Sequence, residues 1–256
     1  MENELEKKYK HLFGLLGQNI DYSFSRGYFN RKFENENRTD FFYTNFDIPE
    51  ISQFPDILKT HKNITGFNVT IPYKESVIPY LDDLDATAKA IGAVNTIQVK
   101  DGKLIGYNTD YYGFLKAIQP LLTKNHTKAL ILGTGGASKA VAYVMSLLKI
   151  KYKFVSRSPK LKQFAYTDLN KEIIQHYKVI INTTPVGTFP NIEDKPSISY
   201  NHITNEHLLF DLIYNPEKTT FLQLGEKKGA TIANGSQMLS GQAEKAWEIW
   251  GEANNF

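Results

Sequence analysis

Ala129-Leu130-Ile131-Leu132-Gly133-Thr134-Gly135-Gly136-Ala137-Ser138-Lys139-Ala140 is a short apolar run, closed by glycines, that opens into a helical pattern through Val141, Val144, Met145 and Leu148. A run of this length bounded by glycine reads as a strand buried on both faces. A glycine-rich turn directly after such a strand and directly before a helix lets backbone N–H groups at the helix start approach a diphosphate. As a bare string the pattern says little; its place between strand and helix gives it weight. Working outward, strands are expected at residues 129–132, 153–155, 179–182, 208–212 and 231–233, with helical stretches between them. That alternation predicts a parallel sheet covered by helices, an α/β fold of the Rossmann-like kind.

The end of the next strand bears on which dinucleotide is bound. An NAD site usually carries Asp or Glu about 20 residues past the glycines, whereas arginine there suits a 2′-phosphate. Here the chain reads Val155-Ser156-Arg157-Ser158-Pro159-Lys160, with no carboxylate before Asp168. Arg157 offers a planar fork to phosphate and the two serines add hydroxyls, so NADP is expected over NAD. Asn182-Thr183-Thr184-Pro185-Val186-Gly187 is a polar break at another strand end and would lie along the cofactor, although loop chemistry alone explains its composition equally well.

The first half of the chain repeats the theme of strands that end in polar groups. Gly66-Phe67-Asn68-Val69-Thr70-Ile71-Pro72-Tyr73-Lys74 is a β-type run in which Val69 and Ile71 would face a core while Asn68 and Thr70 face a cleft. Pro72 cannot donate to a sheet ladder, so Lys74 is expected on the loop or first helical turn beyond the strand. Ligands bind at that end of open α/β sheets. Residues 11–17 read as a first strand, and Ser23 and Ser25 follow where it gives way to a helix at 26–37 with Phe29 and Phe33 on one face. A serine there can cap the helix, bind a ligand, or do both. A strand at 41–46, a helical segment at 48–60 and a second at 76–91 broken at Pro79 come next. Residues 94–100 and 103–107 around Asp101-Gly102 form a predicted hairpin. It ends in Gly106-Tyr107-Asn108-Thr109-Asp110, where Asp110 is either a helix cap or a functional carboxylate. A last helix at 237–250 carries Leu239, Ala243, Ala246, Trp247 and Trp250 as its apolar stripe, with Gln242 beside it.

With 256 residues, 41% hydrophobic and 22% charged, the chain has the composition of a soluble two-domain protein. The charge of +3 is spread without a Lys/Arg run, so no nucleic-acid stripe is expected. There is no cysteine, which excludes disulfides, thiolate catalysis and cysteine metal sites. The six histidines lack ligand spacing, and no metal is expected. The start, Met1-Glu2-Asn3-Glu4-Leu5-Glu6-Lys7-Lys8, is charged where a signal peptide needs an apolar core, and no apolar run is long enough to span a membrane. A cytoplasmic protein, monomer or homodimer, is expected.

Taken in order, the motifs SxS (Ser23, Ser25), NVTxPxK (68–74), GAVNT (92–96), GxNTD (106–110), GxGGA (133–137), SRS (156–158), NTTPxG (182–187), DxxYNP (211–216) and MLxxQAxxxxxxW (238–250) resemble the shikimate dehydrogenase family over nearly the whole chain. Any one of them is common, but the ordered set is specific. The resemblance implies an NADP-dependent oxidoreductase that reduces 3-dehydroshikimate to shikimate. It implies a substrate domain at residues 1–112, a dinucleotide domain at 113–236, a terminal helix at 237–256 packing back on the first, and a cleft between the domains.

Carried over by motif, Ser23 and Ser25 match the pair that holds the substrate carboxylate. Asn68, Thr70, Asn95, Asp110, Tyr214 and Gln242 match its other polar contacts, and Lys74 matches the catalytic lysine with Asp110 as partner. Gly133, Thr134, Gly135, Gly136 and Ala137 match the phosphate loop; Ser156, Arg157, Ser158 and Lys160 match the 2′-phosphate site. Thr183 falls in the loop along the cofactor, and Leu212 and Gly235 match positions near the nicotinamide. The family's HSxSP reads Tyr22-Ser23-Phe24-Ser25-Arg26 here, and its NRT reads Ser156-Arg157-Ser158; both keep the contacting groups. Lysine, ordinarily protonated at neutral pH, suits the task of giving a proton to a developing alkoxide. Quinate, with one more hydroxyl, is the alternative substrate, and a non-catalytic NADP-binding protein of the same fold is the alternative class.

Overall fold

The computed structural model describes residues 8–21 and 23–254, for 252–254 the backbone alone. The charged start at 1–7 and Tyr22 of the serine motif lie outside the described residues. The chain divides into two compact units, residues 1–109 with 243–256, and residues 110–242.

The first unit is built on a six-stranded sheet in the order β2-β1-β3-β5-β6-β4. Its strands are β1 (His11–Gly17), β2 (Phe41–Asp47), β3 (Ile64–Val69), β4 (Asp83–Leu84), β5 (Thr96–Lys100) and β6 (Lys103–Tyr107), with helices α1 (Phe24–Asn35), α2 (Phe54–Thr60) and α3 (Ala86–Ile91). β1 runs parallel to both β2 and β3, while β5 is antiparallel to β3 and β6. Period-two alternation along β1 sends Leu12 and Leu16 to one core and Phe13 and Leu15 to another. The β5–β6 turn is the predicted hairpin, with Lys100 opposite Lys103 and both Asp101 and Gly102 in the left-handed region.

The second unit holds α4 (Asp110–Ile118), β7 (Lys128–Leu132), α5 (Gly136–Leu147), β8 (Lys151–Ser156), β9 (Phe164–Ala165), α6 (Lys171–His176), β10 (Val179–Asn182), β11 (Leu208–Asp211), α7 (Thr220–Glu226) and β12 (Thr231–Ala233). Its six strands are all parallel, in the order β12-β11-β10-β7-β8-β9. Counted from β7 this is two mononucleotide-binding halves back to back, and the order reverses between β7 and β10. Leu130, Ile180 and Leu209 fill the core on one face; Ile131, Ile181 and Phe210 fill the other. Strands buried on both faces are why these segments read as unbroken apolar runs.

The terminal helix α8 (Ser236–Asn254) gives its first turns to the second unit and, from Ala243, its remaining turns to the first. There Ala243, Ala246 and Trp250 are fully buried against Phe13, Phe29 and Tyr43. The Trp250 indole donates to Ile97 O at 3.0 Å and lies against Gly66, where a Cβ would collide with the ring. Gln98 Nε2 ties the same helix to β5 by donating to Ile249 O at 2.6 Å.

Three expectations need correction. The run at 66–74 does not alternate to its end: β3 stops at Val69, and Ile71 is 70% exposed rather than core-facing. Thr70 N bonds Leu16 O and Tyr73 N bonds Thr70 O, so the chain turns before Pro72 and Tyr73 takes the buried place. The segment at 48–60 is a 3₁₀ turn, Ile51–Gln53, before the shorter α2, which has a proline in its first turn. The segment at 76–91 contains a 3₁₀ turn at Ile78–Tyr80, the short strand β4, and only then α3. Aspartates compete with helix there: Asp82 accepts from Leu104 N, and Asp85 caps α3 through Thr87 N and Ala88 N.

Trp250→Ala would leave a large cavity against Gly66 and the ring cluster. It should cost about 3–5 kcal/mol in unfolding free energy, the usual range for deleting a buried aromatic side chain. Urea titration of the full chain measures this, and a loss below about 1 kcal/mol would mean that the site collapses on itself.

Candidate active site

In the first unit, β1 crosses to β2 on one side and lies against β3 on the other, which makes the carboxyl ends of β1 and β3 a topological switch point. The predicted polar residues gather at this edge because of strand direction. Ser23 and Ser25 follow β1, while Asn68, Thr70 and Lys74 end or follow β3. Antiparallel β5 starts at the same edge with Asn95 just before it, and β6 finishes there before Asn108 and Thr109. Ser23 caps α1, its Oγ accepting from Arg26 N at 3.4 Å. An accepting hydroxyl keeps its proton, so capping leaves Ser23 able to donate. Ser25 is buried in the first turn of α1. Lys74 is partly buried on the turn after β3, and its carbonyl accepts from Val94 N at 2.7 Å.

Behind these residues lies a closed polar network that sequence reasoning missed. Asn95 Oδ1 accepts from Thr109 N at 2.6 Å, Asn95 Nδ2 donates to Thr109 Oγ1 at 3.1 Å, and Thr96 Oγ1 donates to Asn95 Oδ1 at 3.2 Å. Asn68 Oδ1 accepts from Tyr43 Oη at 2.7 Å. Thr96 and Thr109 fall inside the GAVNT and GxNTD motifs, which mark their positions but not their pairing, and Tyr43 carries no signal beyond its place on β2.

In the second unit, Gly133 follows β7 with φ of +105°, a conformation that favours glycine, and a Cβ there would stand 2.9 Å from Thr183 Oγ1. Thr183 Oγ1 donates to Leu132 O at 2.6 Å, which joins the two loops across the β7/β10 reversal. Helices α1, α3, α6 and α7 begin with side-chain caps from Ser23, Asp85, Asn170 and Thr219. Helix α5 begins at Gly136 after Gly135, which has no side chain to give, so its leading N–H groups and helix dipole suit a phosphate. Thr134 and Gly135 are exposed, and Gly136 and Ala137 are partly buried in the first turn. Beyond β8, Arg157, Ser158 and Lys160 stand exposed on a loop closed by Ser158 N on Ser156 Oγ and Lys160 N on Gln163 Oε1.

Beneath the loops after β10 and β11, Asn182 Nδ2 donates to Asp211 Oδ1 at 3.0 Å and Asn182 Oδ1 accepts from Thr184 Oγ1 at 2.6 Å. Asp211 also accepts from Thr219 Oγ1 at 2.6 Å and from Ile213 N at 3.1 Å. Burial pushes the Asp211 carboxyl up to about 6, and its three hydrogen bonds oppose the rise. Leu212 N donates to Asn182 O and Gly235 N donates to Ile213 O, both at 3.0 Å, so these two positions sit on neighbouring strand ends. Tyr214 is exposed, Asp110 is buried in the first turn of α4, and Gln242 is buried on α8 with Nε2 donating to Leu239 O.

The family model of the shikimate dehydrogenase substrate binding domain matches residues 15–97. The NADP(+)-dependent shikimate dehydrogenase of Clostridium botulinum strain Hall is 40% identical over 251 residues, covering 93% of this chain and 95% of its own. The chain belongs to the shikimate dehydrogenase family. The solved shikimate dehydrogenase 1 of Peptoclostridium difficile is 38% identical with a TM-score of 0.83, over 95% of this chain and 92% of that one. The Thermus thermophilus shikimate 5-dehydrogenase, solved with NADP(H) and shikimate, is 28% identical with a TM-score of 0.83 over 94% and 93%. Within this family the first unit corresponds to the substrate domain and the second to the Rossmann-like NADP-binding domain.

The raised Asp211 value has a pH signature. Below about pH 4 the carboxyl is protonated folded and unfolded; between about 4 and 6 only the folded chain keeps its proton, so rising pH removes stability from this source. The range corresponds to about 3 kcal/mol. Unfolding free energy measured at pH 4, 5, 6 and 7 should fall with pH more steeply in the wild type than in Asp211→Asn, and identical profiles would show that Asp211 titrates normally.

Proposed function

We propose that the protein is a cytoplasmic enzyme that catalyses the reversible, NADP-dependent reduction of 3-dehydroshikimate to shikimate in aromatic amino-acid biosynthesis. The observation that carries this reading is the 40% identity, over 95% of its length, to an NADP(+)-dependent shikimate dehydrogenase. The bare start of α5, the Gly133 turn and the cations after β8 are what a dinucleotide with a 2′-phosphate needs. NADPH, when bound, supplies the hydride.

In this reading Ser23 and Ser25 donate to the substrate carboxylate, and Asn68, Thr70, Asn95, Tyr214 and Gln242 make the substrate's other polar contacts. As hydride reaches the carbonyl carbon, the C=O electron pair moves onto oxygen, and Lys74 Nζ gives that oxygen a proton. In the oxidative direction the neutral amine takes the proton back. Asp110 is the carboxylate partner that orients Lys74 and accepts from a substrate hydroxyl. Gly133, Thr134, Gly135, Gly136 and Ala137 cradle the diphosphate; Ser156, Arg157, Ser158 and Lys160 hold the 2′-phosphate; Thr183 lies along the cofactor, and Leu212 and Gly235 are near the nicotinamide. The enzyme acts as a monomer or homodimer, which gel filtration resolves.

The decisive assay is spectrophotometric: NADP reduction with shikimate, and separately with quinate. Turnover with shikimate is expected to dominate, and no turnover with either would leave a non-catalytic NADP-binding protein. Lys74→Ala should lower kcat by about 10²-fold or more, the usual weight of an acid–base group, with the Kd for NADP unchanged. Near-normal turnover would remove Lys74 from the mechanism. Arg157→Ala should cut the NADP-over-NAD ratio of kcat/KM by about tenfold, the scale of one charge-assisted hydrogen-bonded pair. An unchanged ratio would assign the preference to other groups.

A further inference from the structure

Tyr43 lies on β2, an edge strand of the first unit's sheet, with its side chain fully buried. Asn30 of α1 clamps its backbone: Nδ2 donates to Tyr43 O at 2.8 Å, and Tyr43 N donates to Asn30 Oδ1 at 2.9 Å. The ring stacks on Phe29 at 4.8 Å and 11°, with Trp250 at 6.5 Å. Its neighbours in this core include Phe13, Phe29, Phe33, Phe41 and Trp250, so the packing asks for a ring and not for a hydroxyl. A phenol buried in such company is costly unless its O–H is bonded.

It is bonded on the side that matters for the substrate. Tyr43 Oη donates to Asn68 Oδ1 at 2.7 Å. Burial pushes the phenol well above its ordinary range, so it stays protonated and a donor. A phenol has one proton, and Asn68 takes it. The amide oxygen of Asn68 therefore faces Tyr43, and its N–H groups face Asn95 O at 3.5 Å and Thr96 Oγ1 at 3.4 Å, both long for hydrogen bonds.

We infer that Tyr43 is a positioning residue for the substrate site: its hydroxyl sets which way the Asn68 amide points. One buried O–H thereby aligns an amide that the functional reading assigns to the substrate. The inference rests on the functional reading above.

Tyr43→Phe in the full chain keeps the ring stack and the Asn30 clamp and removes only the O–H. KM for shikimate should rise about tenfold, with kcat within about threefold and the Kd for NADP unchanged, since a buried carbonyl left unbonded weakens binding on that scale. The effect should vanish in an Asn68→Ala background, where the phenol has no amide to orient. Asn30→Ala, which frees the Tyr43 backbone and spares the phenol, should move KM the same way by a smaller factor. An unchanged KM in Tyr43→Phe, or effects of Tyr43→Phe and Asn68→Ala that simply multiply, would overturn the inference while leaving the enzyme's function intact. A wild type with no shikimate turnover would overturn the function first.

Discussion

A parallel sheet sends every strand's last residue to the same edge, and the backbone there runs out of ladder partners. Those N–H and C=O groups must be met by side chains, by helix starts or by ligands. Both units are organised by this constraint, although in the first, mixed sheet antiparallel β5 brings its start to that edge. In the first it collects Ser23, Ser25, Asn68, Thr70, Lys74, Asn95 and Thr109; in the second, the glycine turn, the Arg157 loop and the Asn182 loop. The site residues are scattered in sequence for the same reason: each strand contributes only the few residues at its own end.

The polar groups at that edge are held by others one layer down. Asn95 is fixed by Thr109 from two directions, and Asn182 by Asp211, which is fixed in turn by Thr219 and Ile213. Both networks are buried, where an unmet donor or acceptor is expensive. Their members therefore come as sets, and a residue one layer down still constrains one at the sheet edge. Tyr43 belongs to this supporting layer.

Much of the second unit was legible. Strands covered on both faces are apolar throughout, and the glycine turn sits at a fixed place between strand and helix, so β7, β8, β10, β11 and β12 could be read within a residue or two. The first unit was harder. Its short helices and turns owe their form to aspartates and prolines that compete with regular structure, and Ile71 shows that an alternating pattern does not say where a strand stops. The two-residue strands β4 and β9 were missed because two residues carry no period.

From its sequence alone the chain already determined its α/β class, the phosphate-ready turn, the cationic loop and the order of the polar strand ends, because these are local: a few adjacent residues and their backbone geometry suffice. Which buried groups stand behind them was decided only by the tertiary structure. Tyr43 meets Asn68 across 25 residues of chain, and Trp250 reaches Ile97 across 153. Nothing local marks such a pair, since the hydrogen bond exists only once packing has removed water from both partners.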